Sequence, residues 1–173
     1  MAQPPEPFAV GEGEGTPVWF LGTLVTIKAT GADTHGSFSL VEELAPPGFG
    51  PPWHVHHAED ELFYVLEGEE TFRVGEREIR APEGSTVYAP HGTPHSYRVE
   101  GEIPARHLCL TSPPGLENFV LDVGTPADER TLPPGTEPTP EEVEKVAALQ
   151  EEYGFEILGP PPWGGEDEWE NGR

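Results

Sequence analysis

From Pro17 to about Thr111, apolar and polar residues alternate in short runs broken by Gly, Pro and Asp clusters. Alternation of this kind places one set of side chains on each face of a strand. It predicts strands over Val18–Ala29, Ser37–Leu44, Trp53–His57, Glu61–Leu66, Glu70–Val74, Glu78–Arg80, Thr86–Tyr88, His95–Val99 and Ala105–Leu110. No helical periodicity and no long crossover interrupts this region, so the strands are expected to pair antiparallel in an all-β sandwich or barrel. After it come two proline-rich turns, Ser112–Gly115 and Leu132–Gly135, and then one helix signal. Thr139 is a good N-cap, Pro140 suits the first helical position and Glu142 completes a capping box. The helix is expected over about 140–153, with Val143, Val146, Ala147 and Tyr153 near one face and Gly154 as its stop. Phe155–Leu158 adds a short strand.

These patterns divide the chain into a flexible arm (1–16), a β-barrel (17–111) and an extension (112–173) that carries the helix and an acidic tail. The tail holds Trp163 and Trp169, which are expected to pack back on the barrel or on a partner subunit. A chain of 173 residues suits one domain with its own core.

Charge narrows the partners. The chain has 32 acidic and 9 basic residues, a net charge of −23. Nucleic acid and anionic membranes both need Lys and Arg to neutralise phosphate, so neither is an expected partner. Met1–Gly15 lacks the basic start and apolar centre of a secretion signal, and the expectation is a cytoplasmic protein. Cys109 is the single cysteine, which excludes an internal disulfide, and its leucine neighbours suit a buried structural thiol.

The chemistry concentrates in one predicted strand. His54 and His56 are two residues apart and therefore share a face. Glu59, Asp60 and Glu61 follow, and a turn between them and His57 prevents strand parity from choosing among them. His57 faces the other way. A strand–turn–strand segment, Gly84 to His95, can return a further imidazole, His95, over the pair, while His91 lies in its Pro90-His91-Gly92 turn. Imidazoles and a carboxylate converging from separate segments make a metal site with open positions.

The two segments resemble the two motifs of the cupin superfamily. Gly48-x5-His54-x-His56-x4-Glu61-x6-Gly68 matches the first without a misplaced gap. Gly84-x5-Pro90-x-Gly92-x2-His95 matches the second, departing only at Val99, where the family pattern has Asn. Within the superfamily the chain resembles single-domain quercetin-dioxygenase-like cupins. The resemblance implies a small jelly-roll β-barrel holding one divalent transition metal ion (Fe, Mn, Ni, Co or Zn). Its ligands would be His54, His56, Glu61 and His95, and it implies a homodimer.

Counting by twos from the implied ligands places Phe63, Val65, Phe72, Val74 and Tyr97 around the ion, with His107 facing the pocket or the core. Such an apolar pocket suits a flat organic molecule. The expected reaction is a metal-dependent dioxygenation of an enolisable or phenolic, flavonol-like small molecule, with Glu61 also taking the substrate proton. A non-catalytic binding or sensor role, or an isomerase or decarboxylase, is the alternative. Arg73, Arg98 and Arg106 are the candidates for clamping an anionic substrate, and parity turns Arg98 away from His95.

Overall fold

The computed structural model describes residues 6–163, so Trp169 and most of the acidic tail, with the first five residues of the arm, lie outside the described residues. The strands are β1 (Thr16–Phe20), β2 (Thr23–Ala29), β3 (Ser39–Ala45), β4 (Trp53–His56), β5 (Asp60–Glu67) and β6 (Glu69–Val74). They continue as β7 (Arg77–Pro82), β8 (Thr86–Ala89), β9 (His95–Val99), β10 (Ala105–Ser112), β11 (Thr125–Pro126) and β12 (Phe155–Gly159). Two helices, α1 (Leu116–Val123) and α2 (Pro140–Tyr153), complete the described residues. Neither is long and apolar enough to cross a membrane.

The strands form two antiparallel sheets that face each other. The larger has the order β11-β1-β2-β3-β10-β5-β8 and the smaller β12-β4-β9-β6-β7. The enclosure is a jelly-roll sandwich; among the described residues no hydrogen-bonded ladder joins the two sheets into a closed barrel. Parity fills the space between them. On β5, Glu61, Phe63 and Val65 point inward while Leu62 and Tyr64 point outward, and β10 alternates in the same way. Phe63, Val65, Phe72, Tyr97, Val99 and Cys109 form the centre of the core.

Three features of the strands and their connections depart from the sequence reading. The predicted strand Val18–Ala29 is a hairpin, turning at Leu21 and Gly22, which both have positive φ (49° and 88°). Two such residues make the tight hairpin turn whose twist matches its strands. A Cβ on Gly22 would lie 2.2 Å from the Thr136 carbonyl, so glycine is required there. Second, the stretch between the two predicted turns, for which no element was expected, contains α1, anchored by the buried Glu117 carboxylate, which accepts from the Gly31 and Gly115 amides at 2.8 and 2.9 Å. Third, the outer edge of β1 is paired by β11 (Val18↔Pro126, Trp19↔Thr125).

The helix α2 starts on Thr139 with both halves of the capping box formed and ends on left-handed Gly154. Its packed seam is Val146, Leu149 and Tyr153; Val143 and Ala147 face solvent, contrary to the expected face. Trp163 folds back on the smaller sheet, with the Arg98 guanidinium 5.1 Å from its ring centre.

Candidate metal centre

The four implied ligands come from both sheets. β4 carries His54 and His56 on its inner face, and β9 opens with His95 directly opposite His54. Glu61 stands on β5 in the facing sheet. A staple holds the two sides in place: the Asp60 carboxylate accepts from the His91 amide (2.9 Å) and from His91 Nδ1 (2.7 Å). The Gly92 amide in the same turn donates to the His56 carbonyl at 2.7 Å. The turn before β9 is thus tied to the start of β5 and to the end of β4.

One ligand atom from each of His54, His56, Glu61 and His95 lies within 4.8 Å of all the others. Three of the four residues are buried, and His54 is half-buried. Main-chain carbonyls fix two rings. His54 Nδ1 donates to the Pro52 carbonyl (2.7 Å) and His95 Nδ1 to the Thr93 carbonyl (3.0 Å). A carbonyl only accepts, so each Nδ1 carries the proton and each Nε2 keeps a free lone pair.

Across the group, Glu61 Oε2 lies 2.5 Å from His95 Nε2 and 3.7 Å from His56 Nε2. Both Glu61 Oε2 and His95 Nε2 are nevertheless buried without a properly directed hydrogen bond. Orphaned buried polar atoms are rare in proteins and carry a cost. Lone pairs crowded around one point suit a cation better than one another, and three imidazoles with one carboxylate are a donor set for a divalent transition metal. These residues could hold such an ion.

Without an ion the cluster is electrostatically divided. Burial, with the neighbouring His95 and His56, lowers His54 to about 3. Burial alone would lower His56 as well, but Glu61 and Glu59 raise it overall. Burial would raise the Glu61 carboxyl, yet the three imidazoles hold it well below the usual carboxylate range. The Cys109 thiol, pushed up by burial, points its sulfur at Glu61 Oε1 from 3.7 Å.

Other sequence-predicted residues are placed as follows. Phe63, Val65, Phe72 and Tyr97 are buried and Val74 is half-buried. The rings of Phe63 and Phe72 pack with centres 5.0 Å apart. His107 is not part of the cluster. It is fully buried one layer away, its Nδ1 2.8 Å from Glu70 and its Nε2 3.3 Å from Glu43. Burial works against its charge, but Glu70 and Glu43 push it up to about 10. Sequence reading missed Glu43 and Glu70 as its partners, although parity carried the signal: Glu70 shares a face with Phe72, and Glu43 with Val41.

His57 is exposed beside Glu156. The three arginines sit elsewhere: Arg73 over Trp53, Arg98 on Glu100, and Arg106 between Glu42 and Glu67.

With the site described, its relatives can be set beside it. A family model described as a cupin domain matches residues 40–111. Quercetin 2,3-dioxygenase of Bacillus subtilis is 31% identical over 128 residues, which are 73% of this chain and 37% of that protein. An uncharacterised protein of Methanocaldococcus jannaschii is 33% identical over 76 residues, or 44% of this chain and 61% of that protein. The chain thus spans less than two thirds of the length of either relative. Among solved structures, a predicted oxalate decarboxylase from Thermotoga maritima superposes with a TM-score of 0.57 at 20% identity, covering 61% of this chain and 99% of that one. The match across 40–111 takes in both motifs, all four clustered residues and the core of both sheets, and this part of the chain is a cupin domain.

Proposed function

We propose that this cupin is a metal-dependent dioxygenase of an enolisable or phenolic small molecule, with one divalent ion held by His54, His56, Glu61 and His95. The observation that carries this reading is the convergence of those four donors inside the sandwich. Sequence likeness to a quercetin 2,3-dioxygenase supports the choice of reaction.

The bound ion would supply Lewis acidity toward a substrate oxygen and a meeting point with dioxygen. The protein does the rest. Glu61 is anionic at neutral pH and would take the substrate hydroxyl proton, as a weak base because three imidazoles hold it well below the usual carboxylate range. Phe63, Val65, Phe72, Val74 and Tyr97 are the apolar side chains that would exclude water from the reacting centre, with His107 one layer behind them between Glu43 and Glu70. Arg73, Arg98 and Arg106 are committed to partners on the outside, which disfavours an anionic substrate that needs a cationic clamp.

Oxygen uptake by protein reconstituted with Fe(II), Mn(II), Co(II) or Ni(II), measured with flavonols and diketones, tests the reaction. Uptake that requires both protein and metal is expected. Binding without uptake would leave a ligand-binding module, and turnover without oxygen an isomerase or decarboxylase. Glu61→Gln with its metal and its full rate retained would remove the proton-acceptor role.

A further inference from the structure

Each histidine of the cluster needs its Nδ1 side held if Nε2 is to face a metal. Main-chain carbonyls do this for His54 and His95. His56 differs: its Nδ1 lies 3.1 Å from Glu59 Oε2, close enough to pair though not aligned as a hydrogen bond, and both side chains are only about one-tenth exposed (10% and 11%). Glu59 therefore addresses the edge of the His56 ring away from Glu61, which stands on the Nε2 edge. It is in turn wedged by the start of α1. A Cβ on Gly115 would fall 2.4 Å from Glu59 Oε1, so the close approach needs glycine.

The wall continues from the C-terminal segment. Phe155 pairs with His56 across β12 and β4, and their ring centres are 5.9 Å apart. A crevice of about 10 Å³, the size of one water, remains between Glu59, His56, Phe119, Tyr153 and Phe155. Gly115, Phe119, Tyr153 and Phe155 all lie beyond residues 40–111, the part matched as a cupin domain.

We propose that Glu59 is a positioning residue of the metal centre, orienting His56 from behind, and that Gly115 and the C-terminal segment hold Glu59 in place. This rests on the reading that the cluster binds a metal. A carboxylate on the outer nitrogen fixes the tautomer, turns the ring and makes the ligating nitrogen a stronger donor.

The test is Co(II) binding by the full chain, read by competition titration and by the visible d–d spectrum, beside the melting temperature of the metal-free protein. Glu59→Gln is expected to weaken Co(II) binding about 10- to 100-fold and to shift the d–d bands. Its metal-free melting temperature should stay near wild type. Gly115→Ala keeps the Glu59 carboxylate but displaces it, and should change the spectrum in the same direction. Exposed Glu156→Gln should change neither. Wild-type affinity and spectrum in Glu59→Gln, whatever its melting temperature, overturn the proposal alone. A wild-type protein that takes up no Co(II) overturns the metal reading as well.

Discussion

His54 and His107 lie inside the same sandwich and are driven in opposite directions. His54 sits among other imidazoles and stays neutral, lowered to about 3. His107 sits between two carboxylates and stays charged, raised to about 10. Each shift ties stability to pH. A raised histidine stabilises fully below its unfolded value near 6.5, and that contribution fades as pH climbs toward 10. A lowered histidine contributes above 6.5 and loses its contribution as pH falls toward 3. Glu61, held low, adds to the acid loss below the usual carboxylate range.

The metal-free protein should therefore melt at its highest temperature near neutral pH and lose stability on both sides. In His107→Leu the alkaline decline should flatten. The same variant leaves Glu70 buried without its partner, a loss of about 3–5 kcal/mol by analogy with broken buried pairs. Melting curves from pH 5 to 10 check both statements. An unchanged alkaline slope would show that the pair does not control it.

At the scale of elements, the metal motif was legible because it rests on strand parity and on glycine turns. His54, His56, Glu61 and His95 converge where the spacing implied, and α2 starts and stops on the residues that cap it. Choosing Glu61 over Glu59 needed the family spacing, since a turn breaks the parity count; the structure gives Glu59 a different partner, the back of His56. The β1–β2 hairpin was hidden because Leu21 takes a positive φ that leucine rarely adopts, which left Gly22 as the single turn signal in the run Val18–Ala29. The turn is held from outside, its Leu21 amide donating to the Glu142 carboxylate at 2.9 Å. Helix α1 was missed although Leu116, Phe119, Val120 and Val123 follow the i, i+3, i+4, i+7 spacing. The turn signal Ser112–Gly115 just before it and the absence of a side-chain N-cap at Gly115 hid its start.

Two substitutions probe these elements. Gly22→Ala forces both a positive φ and a clash with Thr136, and should cost about 1–3 kcal/mol or more. Thr139→Ala removes the α2 cap and should cost about 1 kcal/mol. Denaturant titration measures both. A neutral Gly22→Ala would mean that the hairpin turn relaxes freely.

At the scale of the molecule, the strong negative charge restricts how two copies can meet. The outer edge of β1 is already paired by β11 at Val18 and Trp19, so it is not free there to add a strand from a second copy. Leu62, Tyr64 and Tyr88 are exposed together on the outer face of β5 and β8, with Leu62 directly opposite Tyr88. Two copies that met on these three side chains would bring apolar surface together rather than like charges. The expected homodimer should use it, and Tyr64→Glu should shift the elution volume from dimer to monomer. A wild-type protein that elutes as a monomer at micromolar concentration would contradict the dimer.

All of the chemistry depends on the ion. Elemental analysis of the purified full chain, repeated after incubation with divalent transition metals and removal of excess, measures it directly. One transition metal ion per chain is expected in the wild type, with loss of that ion in His95→Ala and in His54→Ala. A wild-type protein that retains no metal, before or after incubation, would contradict the reading of His54, His56, Glu61 and His95 as a metal centre.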